Sequence, residues 1–165
     1  MKEVLPAQFK EAMRRLAATV TLVTTAEEGM RHGMPATAVS SLSAEPPSLL
    51  ACINRRASMH GPASRAAYFC VNILSVDQSA LCEAFGKLAG SERFMVGEWL
   101  AGPRGLPYLT DAAAVMFCKA DEIIDYATHS IFLGRIEGIL LPADRQPLVY
   151  LGGTMGRFAK FGNGA

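Results

Sequence analysis

Seven apolar stretches rich in β-branched and aromatic residues, separated by Gly, Pro or polar breaks, run through the chain. They are residues 18–25 (ATVTLVTT), 34–43 (MPATAVSSLS), 46–54 (PPSLLACIN), 68–74 (YFCVNIL), 112–125 (AAAVMFCKADEIID), 130–141 (SIFLGRIEGILL) and 147–151 (PLVYL). Such stretches read as strands, and they outnumber helical segments by roughly seven to three. Strands in long succession with helices inserted between them predict a mainly β fold, an antiparallel barrel with peripheral helices and not a doubly wound sheet.

Two of the helical segments are legible in detail. Phe9, Met13, Leu16 and Val20 recur at helical spacing after Pro6, with Lys10, Glu11, Arg14 and Arg15 between them. This predicts an amphipathic helix packed on the body. In 75–88 (SVDQSALCEAFGKL), Leu81 and Phe85 lie one turn apart behind a cap at Ser75 or Asp77. The polar segment 26–33 (AEEGMRHG) reads as a loop joining the first two strands. Residues 89–110 have little periodicity and several Gly and Pro, a segment long enough to cover a site.

The length of 165 residues suits one domain, 1–165. Sixteen Lys and Arg nearly balance fifteen Asp and Glu, so no strong field recruits nucleic acid or an anionic membrane. Charges interrupt the first fifteen residues, and no later run approaches about 18 uncharged apolar residues, which predicts a cytoplasmic protein. Cys52, Cys70, Cys82 and Cys118 are widely separated without a Cys-x-x-Cys pair, so neither a metal site nor a disulfide framework is expected. His32 and His60 read as polar loop residues, and Trp99 as packing or lid.

No Gly-x-Gly-x-x-Gly, P-loop, Gly-x-Ser-x-Gly or His-Glu-x-x-His occurs. A nucleotide, if bound, must therefore be held another way. Thr37, Ser40 and Ser41 end one strand, and Asn54, Arg55, Arg56 and Ser58 end the next. Hydroxyls and guanidinium forks suit a phosphate, and a closed barrel can bring the two ends together across a groove. The alternative is that the serines serve a turn and the arginines lie solvated. His129, between Thr128 and Ser130 at the mouth of a strand, suits stacking or proton handling, or is a plain turn residue. Arg157 and Phe158 follow a Gly-rich loop, where a cation and an aromatic can close over a planar ligand, or the glycines merely let the chain turn.

Together, FKEAMRRLAATVTLVTT, GMPATAVSSLSAEPPSLLACINRRASMH, FCVNILSVDQSALCEAFG, ERFMVGEW, THSIFLGRIEGI and LVYLGGTMGRF resemble the short-chain flavin reductases in order and approximate spacing. These are the small reductase components of two-component monooxygenases of the 4-hydroxyphenylacetate and pyrimidine-utilisation type. The resemblance covers nearly the whole chain. It implies an FMN-binding split β-barrel, generally a homodimer, that takes FMN, with FAD as the other choice, and NADH or NADPH as hydride donor.

By the same resemblance, Thr37, Ala38, Ser40 and Ser41, with Cys52, Asn54, Arg55, Arg56 and Ser58, are the expected flavin contacts. His129 falls at the nicotinamide side as the catalytic position, and Arg157 and Phe158 match a terminal basic-aromatic pair near the pocket. Two positions depart from the family's pattern. Pro35 stands where a threonine is common, and Arg56 where a serine is frequent. The implied activity is hydride transfer to flavin for a partner monooxygenase. Reduction of another acceptor, such as a corrinoid, and a flavin-binding module without reductase activity are the competing readings.

Overall fold

A computed structural model describes residues 4–142 and 145–161. Helix α1 (Val4–Arg14) leads into β1 (Ala18–Thr19), β2 (Thr21–Glu27) and β3 (Met30–Ala36). Next come β4 (Val39–Ala44), β5 (Pro47–Asn54), α2 (His60–Ala66), β6 (Tyr68–Ile73) and α3 (Ser79–Lys87). The remaining strands are β7 (Trp99–Ala101), β8 (Pro107–Leu109), β9 (Ala114–Tyr126), β10 (His129–Leu140), β11 (Leu148–Leu151) and β12 (Thr154–Arg157).

The main sheet is antiparallel, in the order β3-β2-β6-β9-β10-β5-β4. Its two edge strands are consecutive in the chain. Ala36 pairs with Thr21 at one edge, while the Ala38 carbonyl accepts from the Cys52 N–H at 2.9 Å at the other. Two residues span about 7 Å, whereas the edges of a flat seven-stranded sheet stand roughly 29 Å apart. The sheet must therefore roll into a barrel whose seam is Thr37–Ala38. This is the expected mainly β barrel. A small sheet, β1-β11-β12, flanks it.

Inside the barrel, Val23, Leu49, Ala51, Ile53, Phe69, Val71, Cys118 and Phe132 pack together. The opposite face of β2, β6 and β9 is covered as well, by Leu81 and Phe85 of α3 with Phe94, Leu106 and Leu109. Residues 21–25 of β2 are consequently buried without alternation, and the strand reads as one continuous run. Its hydroxyls are satisfied by carbonyls: Thr21 on Ala36 at 2.7 Å, Thr24 on Pro107 at 2.6 Å and Thr25 on Tyr68 at 2.7 Å.

Several expectations are corrected. The segment 26–33 is not a loop, because β2 and β3 run through it to a two-residue turn. Glu28 and Gly29 both have left-handed φ, 51° and 78°, as a type I′ hairpin turn requires. The stretch 34–43 is broken at the seam. Residues 89–110 cover the second core, with Phe94 and Trp99 packed on Phe85 at centroid distances of 5.2 and 5.5 Å.

α1 is a helix tied at its end to the small sheet by Arg14, whose guanidinium donates to the Gly152 carbonyl at 2.8 Å, but none of its side chains is buried against the body. Val20 belongs to the core and not to the helix face. His32 lies on β3, and His60 opens α2. That short helix hides in HGPASRA, whose Gly and Pro argue against one. No helix among the described residues is long and apolar enough to cross a membrane.

Candidate functional site

Strand phase decides what the site is made of. On β5, Leu49, Ala51 and Ile53 point into the barrel, so Leu50, Cys52 and Asn54 point outward. On β10, Leu133, Ile131 and His129 stand directly opposite these three and share their outer face. A cavity of about 390 Å³ lies on this face at the seam, bounded by Thr37, Ala38, Ser40, Leu50 and Cys52 with residues 16–19. A second, of about 230 Å³, takes Ser40, Ser41, Ser48 and Thr21. Thr37 also borders cavities of about 340 and 530 Å³, both shared with Tyr150 of β11.

The expected flavin contacts therefore fall into two groups. Thr37, Ala38, Ser40 and Cys52 surround one cavity, with Ser41 in the next. Asn54, Arg55, Arg56 and Ser58 form a turn beyond β5. Asn54 Oδ1 accepts from the Arg56 N–H at 2.9 Å, and the Asn54 carbonyl from the Ala57 N–H at 2.9 Å. These bonds shape the turn and leave the Arg55, Arg56 and Ser58 side chains exposed. Cys52 and Asn54 are two residues apart on one face, so the turn continues the cavity wall.

His129 is exposed beside Asn54, with Nδ1 2.9 Å from Thr128 Oγ1. Arg157 and Phe158 are not brought to the 390 Å³ cavity. They lie exposed at the end of β12, where the Phe158 carbonyl accepts from Gln146 Nε2 at 2.7 Å.

One constellation escaped sequence reasoning. Ser130 Oγ donates to Asp125 Oδ1 at 2.6 Å and lies 2.7 Å from His60 Nε2. Asp125 Oδ2 is in turn 3.7 Å from Arg55 Nη2. The Ser130 hydroxyl, and then the Arg55 guanidinium, hold the Asp125 carboxyl below the usual carboxylate range. His60 lies 70 residues from Ser130, and no local spacing signals the pair. Burial pushes the Cys118 thiol up to about 12 and raises that of Cys70 as well, so these are inert core thiols.

An apolar wall beside hydroxyls, on the outer face of a rolled sheet and continued by an arginine turn, has the chemistry that suits a flat, partly apolar, anionic ligand. The flavin reductase like domain family matches residues 13–159, and the chain belongs to that family. It is 41% identical over 145 residues to the reductase component of an FADH(2)-dependent resorcinol hydroxylase from Rhizobium sp., covering 86% of this chain and 81% of that one. It is 40% identical to the FMN reductase (NADH) RutF of Pseudomonas syringae pv. syringae, covering 87% and 82%. The NADH:FAD oxidoreductase SgcE6 of Streptomyces globisporus, solved with NAD and FAD fragments, superposes with a TM-score of 0.88 at 26% identity, covering 96% and 95%.

Proposed function

We propose that the chain, acting as one domain, is an NADH- or NADPH-dependent flavin reductase that supplies reduced flavin to a separate monooxygenase component. The seam cavity carries this reading, because its residues fit a flavin. Leu50, Cys52 and Ala38 offer an apolar wall for a flat ring. Thr37, Ser40, Ser41 and the outward backbone groups of edge strand β4 meet its polar rim. Asn54, Arg55, Arg56 and Ser58 serve the phosphate end.

When bound, the flavin supplies the electron-accepting ring for hydride from the nicotinamide. The chain binds, orients and shields the two rings, and His129 stands on the same outer face for the nicotinamide side. FMN is the narrow choice and FAD the other, the FMN reductase being 40% identical and the reductase component of the FADH(2)-dependent hydroxylase 41%.

A second copy of the chain is the proposed cover for α1. Val4, Leu5, Phe9, Met13 and Leu16 are 47–68% exposed, and the last three border the 530 Å³ cavity with Thr37 and Ala38. A homodimer buries this face and adds a wall to the site. Arg157 ends β12, in the same small sheet as Tyr150, with Phe158 just beyond it, and the two are assigned the closing side of the pocket. Four free cysteines suit a cytoplasmic setting.

The test is anaerobic absorbance of the protein with FMN or FAD on addition of NADH or NADPH. Bleaching of the oxidised-flavin band far faster than in protein-free solution supports the reductase. A flavin complex that neither nucleotide bleaches refutes it in favour of a binding module, and a corrinoid reduced faster than free flavin refutes the assigned acceptor.

A further inference from the structure

The turn between β5 and α2 is fastened at both ends by one chain of polar contacts. At its start, the Arg55 N–H donates to the Thr128 carbonyl at 3.0 Å and the Arg55 guanidinium faces Asp125 at 3.7 Å. At its end, His60 Nε2 meets Ser130 Oγ at 2.7 Å. Asp125 and Ser130 are cross-strand partners on β9 and β10, joined by the 2.6 Å hydrogen bond between their side chains.

The proton inventory fixes the direction of the chain. A serine hydroxyl has one proton, and it goes to Asp125, so Ser130 Oγ can only accept from His60. Nε2 of His60 therefore carries the proton. The ring is also gripped by packing, with its edge on Phe132 at a centroid distance of 5.7 Å, and Ser130 is fully buried. The Asp125 carboxyl, held below its usual range, remains an acceptor through neutral pH.

We infer that His60, Ser130, Asp125 and Arg55 form a clasp that presets the 54–60 turn, and that through this turn they set the preference for a phosphorylated flavin. The inference rests on the flavin-reductase reading and assigns the three residues other than Arg55 as positioning residues. The side chains left free inside the clasped turn, Arg56 and Ser58, point from a backbone that need not reorganise when an anion arrives.

The carboxylate makes the effect distinctive in sign. If Asp125 acted only through its charge, removing it would ease the approach of a phosphate and tighten FMN binding. A positioning role predicts the reverse.

The experiment compares steady-state KM for FMN and for riboflavin, which lacks the phosphate, at fixed ionic strength. Asp125→Asn and His60→Ala should each raise the ratio of the FMN KM to the riboflavin KM about threefold or more with kcat held. His60→Gln, which restores an N–H donor, should recover part of the loss. A ratio that is unchanged, or that falls in Asp125→Asn, overturns the clasp. Ser58→Ala and Arg56→Ala separate the two readings. If both leave FMN and riboflavin alike, the turn does not read phosphate and the site assignment itself fails. If they discriminate while the clasp variants do not, only the clasp fails.

Discussion

His129 and Asn54 are direct partners across β10 and β5, and the next residue, Arg55, is tied by its backbone to Thr128 in the hairpin turn that opens β10. The proposed nicotinamide residue and the proposed phosphate turn are thus held at one end of one strand pair, although they are assigned to different ligands.

His129→Ala is accordingly expected to raise the KM for NADH about fivefold, ~1 kcal/mol, with a smaller effect on flavin. Arg55→Ala should do the reverse. Steady-state kinetics with each substrate varied in turn checks both. Equal, negligible effects would remove the two assignments.

Cys52 lines the 390 Å³ cavity, whereas Cys82 lines the neighbouring one that shares Thr37. Alkylation at pH 8, read by mass spectrometry, should label Cys52 first, Cys82 more slowly because partial burial and then Glu83 raise its thiol too, and spare Cys70 and Cys118, whose thiols deeper burial holds protonated. FMN should slow labelling of Cys52 more than that of Cys82. Labelling of Cys52 that is indifferent to FMN would place the flavin elsewhere.

Gly134 sits on β10 at a register shift, and a Cβ there would run into the ring of fully buried Phe69. Gly134→Ala should destabilise the fold by about 1–3 kcal/mol, seen as a lower denaturant midpoint. Gly86, inside α3 with open space around it, is the matched control. Gly86→Ala should stabilise by about 0.5–1 kcal/mol.

Arg65 of α2 forks onto Glu27 at the end of β2, with Nε–Oε1 at 2.6 Å and Nη2–Oε2 at 2.7 Å. The hydrogen bonds from Arg65 hold the Glu27 carboxyl below its ordinary value. Because the folded-state pKa is the lower one, the stabilisation is present above the unfolded carboxylate's pKa and is lost as pH falls through the folded value. Glu27→Gln should melt below the unsubstituted protein at pH 7, and the gap should close in acid. A gap that is constant with pH would show that the pair contributes nothing through charge.

The long strands of the barrel were readable where each is a compact apolar run, and even β2, buried on both faces, kept its β-branched signature, whereas the first half of β3, the short β7 and β8, and β12 in the Gly-rich tail carry no such run. Thr37, Ala38, Ser40 and Cys52 were likewise named in advance, and they meet at one cavity. What local pattern does not carry is partnership across the sheet. That β3 and β4 are opposite edges follows from the pairing of five intervening strands, and no residue near 37 announces it. His60 was misread for the same reason, since the groups that make it more than a turn residue come from β9 and β10. The amphipathic pattern of α1 predicted packing on the body, but a pattern on one helix does not say what covers its face, and the structure leaves that face exposed.

The seam has a thermodynamic consequence. Thr37 and Ala38 both join the edges of the barrel and wall its cavity, so unrolling the sheet and dismantling the pocket are one event. Occupancy there acts as a latch on the whole barrel, adding about 2.7 kcal/mol at a ligand concentration one hundred times Kd. With flavin at the proposed seam site, such a barrel would be sturdiest while the flavin pool is full, and each departure of the ligand would return it to its own unaided margin.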